Sequence, residues 1–355
     1  MITDNIKRLI ECNKKARVSE VKAIPLFVNE ESSNNFRYCG AVVDSQNHII
    51  GIPNRCSHIL DINPEDETIE QWGKVIYPDE IKGWTGGGLS KKEKIYGFPR
   101  GASSYLEIDY INRQIAYFPM SQLYDMEHHY GGVMNKKGVI YQPPRNGKKI
   151  YCYDTTTRNE KEIKIVTLFS RKRLYYGGML DLEDNAYFFP AGKLSRVCMV
   201  NSKEKAILIG KNLWNCRFNS GTLAGNGDIY GFSSYGRGIL HIDTKNKRAE
   251  VRQKDIQGGF FGAKLGFNGK IYGIPGDADI ILEYDPYRDM ITDKIPLPDC
   301  EIGKRAKCAG GAVDIYGNIW CIPAKGSYIY KVCFEGLEAY PDCILYKSRY
   351  FSSFY

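Results

Sequence analysis

The side chains with chemical potential are cations, aromatics and one histidine pair. His128 and His129 are adjacent and are followed by Tyr130. An imidazole in that position could take a proton from a carbon beside a carboxylate, which is lyase or isomerase chemistry needing neither metal nor cofactor. The other three histidines read as structural or undecided: His48 lies in a turn, His241 within an alternating strand, and His58 at a strand start. A metal site is disfavoured, because neighbouring residues of a strand point to opposite faces and cannot easily share an ion. No GxSxG elbow, P-loop or HExxH is present, and the acids near the histidines are too few for paired-carboxylate hydrolysis.

The cations recur at regular intervals, and so do the phrases that position them. IIGIP at 49 returns as IYGFP at 95, IYQPP at 140, AYFFP at 186, IYGFS at 229, IYGIP at 271 and IWCIP at 319, with intervals of 46, 45, 46, 43, 42 and 48 residues. A small-residue pair precedes each copy, as in Gly86-Gly87 or Gly310-Gly311, and a turn such as Asn226-Gly227 lies between pair and phrase. Beyond the phrase come an alternating segment, YLEID at 105 or ILEYD at 281, and then a fourth such as EIKIVTLF at 162. Asn63, Asp109, Asp154, Asn201, Asp243 and Asp285 stand where side chains can cap the last turn. Each unit thus reads as four antiparallel strands.

Seven such units of 42 to 48 residues predict an all-β fold, a seven-bladed β-propeller of four-stranded blades. The segment VKAIPLFVN (21–29) is similar to IKIVTLFSR (163–171) and is expected to supply the outer strand of the last blade. The divisions expected are an N-terminal helical extension (1–20), the propeller (21–341) and a C-terminal tail (342–355). On the glycine pair and the IYGIP-type phrase, the chain resembles the bacterial seven-bladed propellers and, more distantly, the streptogramin-lyase propellers, although no catalytic motif of that family can be placed in it. The WD dipeptide of WD40 repeats is absent, and the glycine pair does not sit where Kelch repeats carry theirs. Propellers host lyases, lactonases, isomerases, sugar binders and scaffolds, so the resemblance implies architecture and leaves activity open.

In a four-strand meander, the loop before the innermost strand and the loop between strands two and three emerge at the same end. Two columns of residues therefore share one rim. The loop after the phrase carries Arg55, Arg100, Arg145, Lys193, Arg237 and Lys325, with Asp277 and Asp279 as the exception in blade 6. The column entering the inner strand reads Tyr38, Trp84, His129, Tyr175, Phe218, Phe260 and Cys308, and the residue before it Arg37, Gly83, His128, Leu174, Arg217, Gly259 and Lys307. Architecture, aromatics packing blade against blade, explains the first of these columns more readily than binding does.

Taken together the columns predict a cation-lined mouth with aromatic walls, suited to a carboxylate, phosphate or sulfate on a flat or sugar-like body. The ligand residues expected are Arg37, Arg55, Trp84, Arg100, Arg145, Tyr175, Lys193, Arg217, Arg237, Phe260, Lys307 and Lys325. The partner is an anionic small molecule. An acidic protein across the rim is the alternative, and nucleic acid fits less well.

Composition agrees with a folded domain of this kind. The 355 residues are 43% hydrophobic and 25% charged, with a net charge of +8, a surplus that favours anionic partners without forming a nucleic-acid tail. No apolar run of membrane-spanning length occurs, and the N-terminus lacks the apolar core of a signal peptide. The eleven cysteines are odd in number and never take CxxC spacing, which suits reduced thiols in a cytoplasmic protein.

Overall fold

Each copy of the phrase becomes the second strand of a four-stranded antiparallel sheet, and seven such sheets form the molecule. The computed structural model describes residues 2–26, 36–76, 83–121, 129–166, 175–192, 195–213 and 216–338. Blade 1 runs through Tyr38–Val43, Ile49–Pro53, Ile59–Asn63 and Thr68–Trp72, and blades 2 to 6 repeat that order. In blade 5 the inner strand is split into Arg217–Phe218 and Thr222–Leu223, both paired with Ile229–Tyr235.

Blade 7 takes three strands from the C-terminal side and its fourth from the N-terminus: Arg17–Pro25 pairs antiparallel with Tyr328–Glu335. The ring therefore closes as the phrase comparison predicts, with the strand beginning at Arg17 and residues 27–29 lying outside the described ones. A helix, Ile2–Asn13, precedes it. Its Ile6, Leu9 and Ile10 are buried in the main core, and Ile10 packs beside Gly225 and Gly269 in the turns of blades 5 and 6. Asn268 Nδ2 donates to Ala16 O at 3.0 Å, which fastens the link between helix and strand.

The small-residue pair has a mechanical origin. In blades 1, 2, 6 and 7 the pairing of strands one and two slips between the aromatic column and the second small residue, at Tyr38/Ala41, Trp84/Gly87, Phe260/Ala263 and Cys308/Gly311. Such a bulge inserts a residue and bends the strand. The first glycine of the pair takes a positive φ (72° at Gly86 and at Gly310), where a side chain is strained. The second has no room for a Cβ, which would meet Tyr96 O at 2.9 Å on Gly87 and Trp320 O at 2.4 Å on Gly311.

The aromatic of the phrase holds the turn before it. Tyr187 Oη donates to Asp181 Oδ2 (3.0 Å), Trp320 Nε1 to Asp314 Oδ2 (2.8 Å), and Asn268 Nδ2 to Tyr272 Oη (2.9 Å). The six capping residues also act as predicted, each accepting a backbone N–H two or three residues on: Asn63 from Glu65, Asp109 from Asn112, Asp154 from Thr156, Asn201 from Lys203, Asp243 from Asn246 and Asp285 from Tyr287. No helix among the described residues is long and apolar enough to cross a membrane, and the ten described cysteines are free thiols.

Candidate functional site

The two loop columns meet through their backbones. Ala324 O accepts from Arg37 N (2.7 Å), Arg37 O from Asn54 N (2.8 Å) and Arg55 N (3.2 Å), Asn54 O from Gly83 N (2.7 Å), and Gly83 O from Arg100 N (2.9 Å). On the other side Ser233 O accepts from Gly259 N, Gly259 O from Gly276 N and Asp277 N, Gly276 O from Lys307 N, and Lys307 O from Ala324 N. Backbone hydrogen bonds thus tie blade 5 to 6, 6 to 7, 7 to 1 and 1 to 2 at one end of the molecule. The residues flanking this chain of bonds are held on a rigid rim.

The column Tyr38, Trp84, Tyr175, Phe218 and Phe260 lies within the blades, each residue at most 4% exposed. Trp84 Nε1 donates to Ser104 O (2.7 Å), and burial pushes the Tyr175 phenol well above its ordinary pKa. His129 belongs to the same parity: it is buried, bridges Pro144 through its backbone, and turns its ring toward Tyr151, 5.8 Å between centroids. The next residue along takes the other direction. Cys39, Tyr130, Tyr176 and Ala309 gather into one cluster with Ala191 and Ala324, and Phe36 and Phe261 pack against it. Blades 1, 3, 4, 6 and 7 all contribute, which only a position near the propeller axis permits.

Cations pack against the rings of this cluster. Lys325 Nζ lies 5.7 Å from the Phe36 ring, and Arg100 Cζ is 5.7 Å from Phe36 and 4.1 Å from Tyr130. Tyr130 and Tyr176 are 4.3 Å apart, and Arg217 Cζ stands 5.8 Å from both Tyr176 and Tyr235. The belt runs through blades 7, 1, 2, 3, 4 and 5. Arg100 also hydrogen-bonds the Cys39 thiol, which burial, outweighing that contact, pushes up to about 11.

The predicted cations separate into distinct roles. Arg37 spends its guanidinium on Lys325 O (2.9 Å) and Gly326 O (2.6 Å), bracing blade 1 against blade 7. Lys307 has no exposure: its Nζ donates to Lys304 O (2.7 Å), Ala278 O (3.2 Å) and Asp277 O (3.3 Å) and pairs with Asp279 at 2.8 Å. Arg55, Arg100, Arg145 and Arg217 are half-buried, whereas Arg237 and Lys325 are exposed. The Nε atoms of Arg145 and Arg217 are shielded from solvent and have no hydrogen-bond partner among the described residues. Lys193 and His128 lie outside the described residues. Phe36, Tyr176, Tyr235 and Phe261 were not selected from the sequence, although each adjoins or lies close to a residue that was.

No family model matches the chain, and no curated protein matches it. Among solved structures, a streptogramin B lyase superposes with a TM-score of 0.72 at 15% identity, covering 89% of this chain and 98% of the lyase. Virginiamycin B lyase from Staphylococcus aureus gives 0.69 at 15% identity over 88% of this chain and 98% of that one. The extracellular domain of a putative one-component system, BT4673 from B. thetaiotaomicron, gives 0.66 at 11% identity over 89% of this chain and 40% of that one. Identities this low carry the fold alone: the chain is a seven-bladed β-propeller, similar in architecture to the streptogramin B lyase structure.

Proposed function

We propose that the rim binds a small anionic ligand carrying a carboxylate, phosphate or sulfate on a flat body. The observation that carries this reading is the alternation Lys325, Phe36, Arg100, Tyr130, Tyr176, Arg217, Tyr235. Stacking engages the face of a guanidinium and hydrogen bonding its edge, so a stacked arginine can hold a ring and an anion together. Clustered cations repel one another, and an anion relieves that repulsion.

Calorimetric titration with phenyl phosphate and 3-phenylpropanoate, against the neutral 3-phenylpropanamide, tests it. The anions should bind more tightly than the amide, and Arg100→Gln with Arg217→Gln should weaken them by roughly 1.5–3 kcal/mol for each direct charge-assisted hydrogen bond lost. Equal binding of anion and amide, or an unaltered affinity in a folded double variant, refutes the reading.

A second reading, lyase or isomerase chemistry on the same ligand, draws on the names of the structural neighbours and on Tyr130 in the belt. His129 faces Tyr151 inside blade 3, which leaves Tyr130 or His128 to move the proton. Tyr130→Phe keeps the ring and removes the hydroxyl. Under this reading turnover falls by roughly 10² to 10⁴ while affinity holds, and a native protein that converts no bound anion refutes it.

A further inference from the structure

Blade 6 interrupts the cation column, and its two carboxylates are used differently. Asp279 is taken by the buried Lys307 (2.8 Å) and by Gly303 N (2.9 Å). Asp277 is exposed, and among the described residues only its Oδ1 is engaged, by Ala306 N at 2.8 Å, which fixes the direction of the carboxyl group. It borders a cleft of about 750 Å³ between blades 5 and 6, whose other walls include Tyr235, Arg237, Gly259 and Arg305. Arg237 and Arg305 are exposed, and no ion pair joins either to Asp277 among the described residues. The cleft therefore presents both signs of charge to one occupant.

Its position links it to the belt. Tyr235 is 60% exposed, lines the cleft, and is also the last ring of the belt, 5.8 Å from the Arg217 guanidinium. An occupant of the cleft can thus extend onto the arginines without leaving the rim. Arginines stay charged at any accessible pH, so Arg217, Arg237 and Arg305 disfavour a bare cation. Asp277 in turn disfavours a second negative charge on that end of the ligand. A molecule with one carboxylate and one ammonium satisfies both, and selection by repulsion of the alternatives is a common route to specificity.

We infer that the cleft receives the ammonium group of a ligand whose carboxylate lies on the belt, so that the ligand class is an amino carboxylate with a flat apolar body. This rests on the anion-binding reading above and narrows it. The probes are phenylalanine, 3-phenylpropanoate and phenethylamine, titrated calorimetrically into the native protein and into Asp277→Asn, which keeps an acceptor for Ala306 N. In the native protein phenylalanine should bind about two- to five-fold more tightly than 3-phenylpropanoate, with phenethylamine the weakest. Asp277→Asn should abolish that preference and leave 3-phenylpropanoate no weaker. A native protein that binds phenylalanine no better than 3-phenylpropanoate, or a preference that survives Asp277→Asn, overturns the assignment while the anion reading stands. If 3-phenylpropanoate does not bind and phenethylamine does, the anion reading itself has failed and the amino-carboxylate class falls with it.

Discussion

Asp44 opens the turn between the first two strands of blade 1 with 1% of its surface exposed, and its Oδ1 accepts from Gln46 N (2.8 Å) and His48 N (2.9 Å). Blade 3 builds the same turn on Asn135, whose Oδ1 accepts from Lys137 N (3.0 Å) and Val139 N (2.9 Å). The turn needs an acceptor and not a charge. Burial, outweighing the two amide bonds and helped by the Asp61 carboxylate, pushes the Asp44 carboxyl from 3.8 to about 6. Below pH 3.8 both folded and unfolded chains hold the proton and nothing is lost. Between 3.8 and about 6 only the unfolded chain ionises, so stability falls as pH rises, and above that the full cost remains. At about 1.4 kcal/mol per pH unit this amounts to about 3 kcal/mol. Asp44→Asn should remove it. With about 2.1 cal/mol/K of unfolding entropy per residue, a chain of 355 residues converts that into about 4 °C of Tm. Thermal unfolding followed by circular dichroism at pH 4 and pH 7.5, on both proteins, should show the variant gaining about 3 °C on the native protein between the two conditions, since about 0.5 kcal/mol of the cost is already present at pH 4. Any unmatched Asn N–H costs the same at both pH values and cancels. An identical Tm difference at pH 4 and pH 7.5 refutes the assignment of a buried, proton-holding Asp44.

Removing residues 1–26 should strip the edge strand from blade 7 and the buried Ile6, Leu9 and Ile10, the three side chains alone contributing about 6 kcal/mol; an unchanged Tm would show that the N-terminus does not close the ring. The milder Leu9→Ala should cost about 2–5 kcal/mol in denaturant unfolding. Lys307→Met leaves three carbonyls and Asp279 without their ammonium and should destabilise by about 3–5 kcal/mol while leaving 3-phenylpropanoate affinity unchanged. A fall in that affinity with stability intact would place Lys307 among the ligand cations instead.

The repeat, the four-strand unit, the turn caps and the closure by the N-terminal segment were all readable from the sequence, because each is a local pattern or a comparison of the chain with itself. A turn cap such as Asp154 acts on Thr156, two residues away, and alternation needs only nearest neighbours. The choice between adjacent residues was another matter. Tyr175 and Tyr176 are chemically alike, as are Phe260 and Phe261, yet Tyr175 and Phe260 pack within the blades and Tyr176 and Phe261 join the axial cluster. Adjacent residues of a strand face opposite ways, and which of the two turns to the axis is set by how each strand packs against the neighbouring blades. The fate of the cations likewise lay beyond the sequence. Lys307 and Arg237 look equivalent as basic residues in rim loops, but carbonyls from blade 6 and the loop that follows it enclose Lys307, whereas Arg237 is exposed. Local chemistry is written residue by residue, whereas the burial of Lys307 is set largely by carbonyls about 30 positions away, which reach it only when blade 6 packs against blade 7.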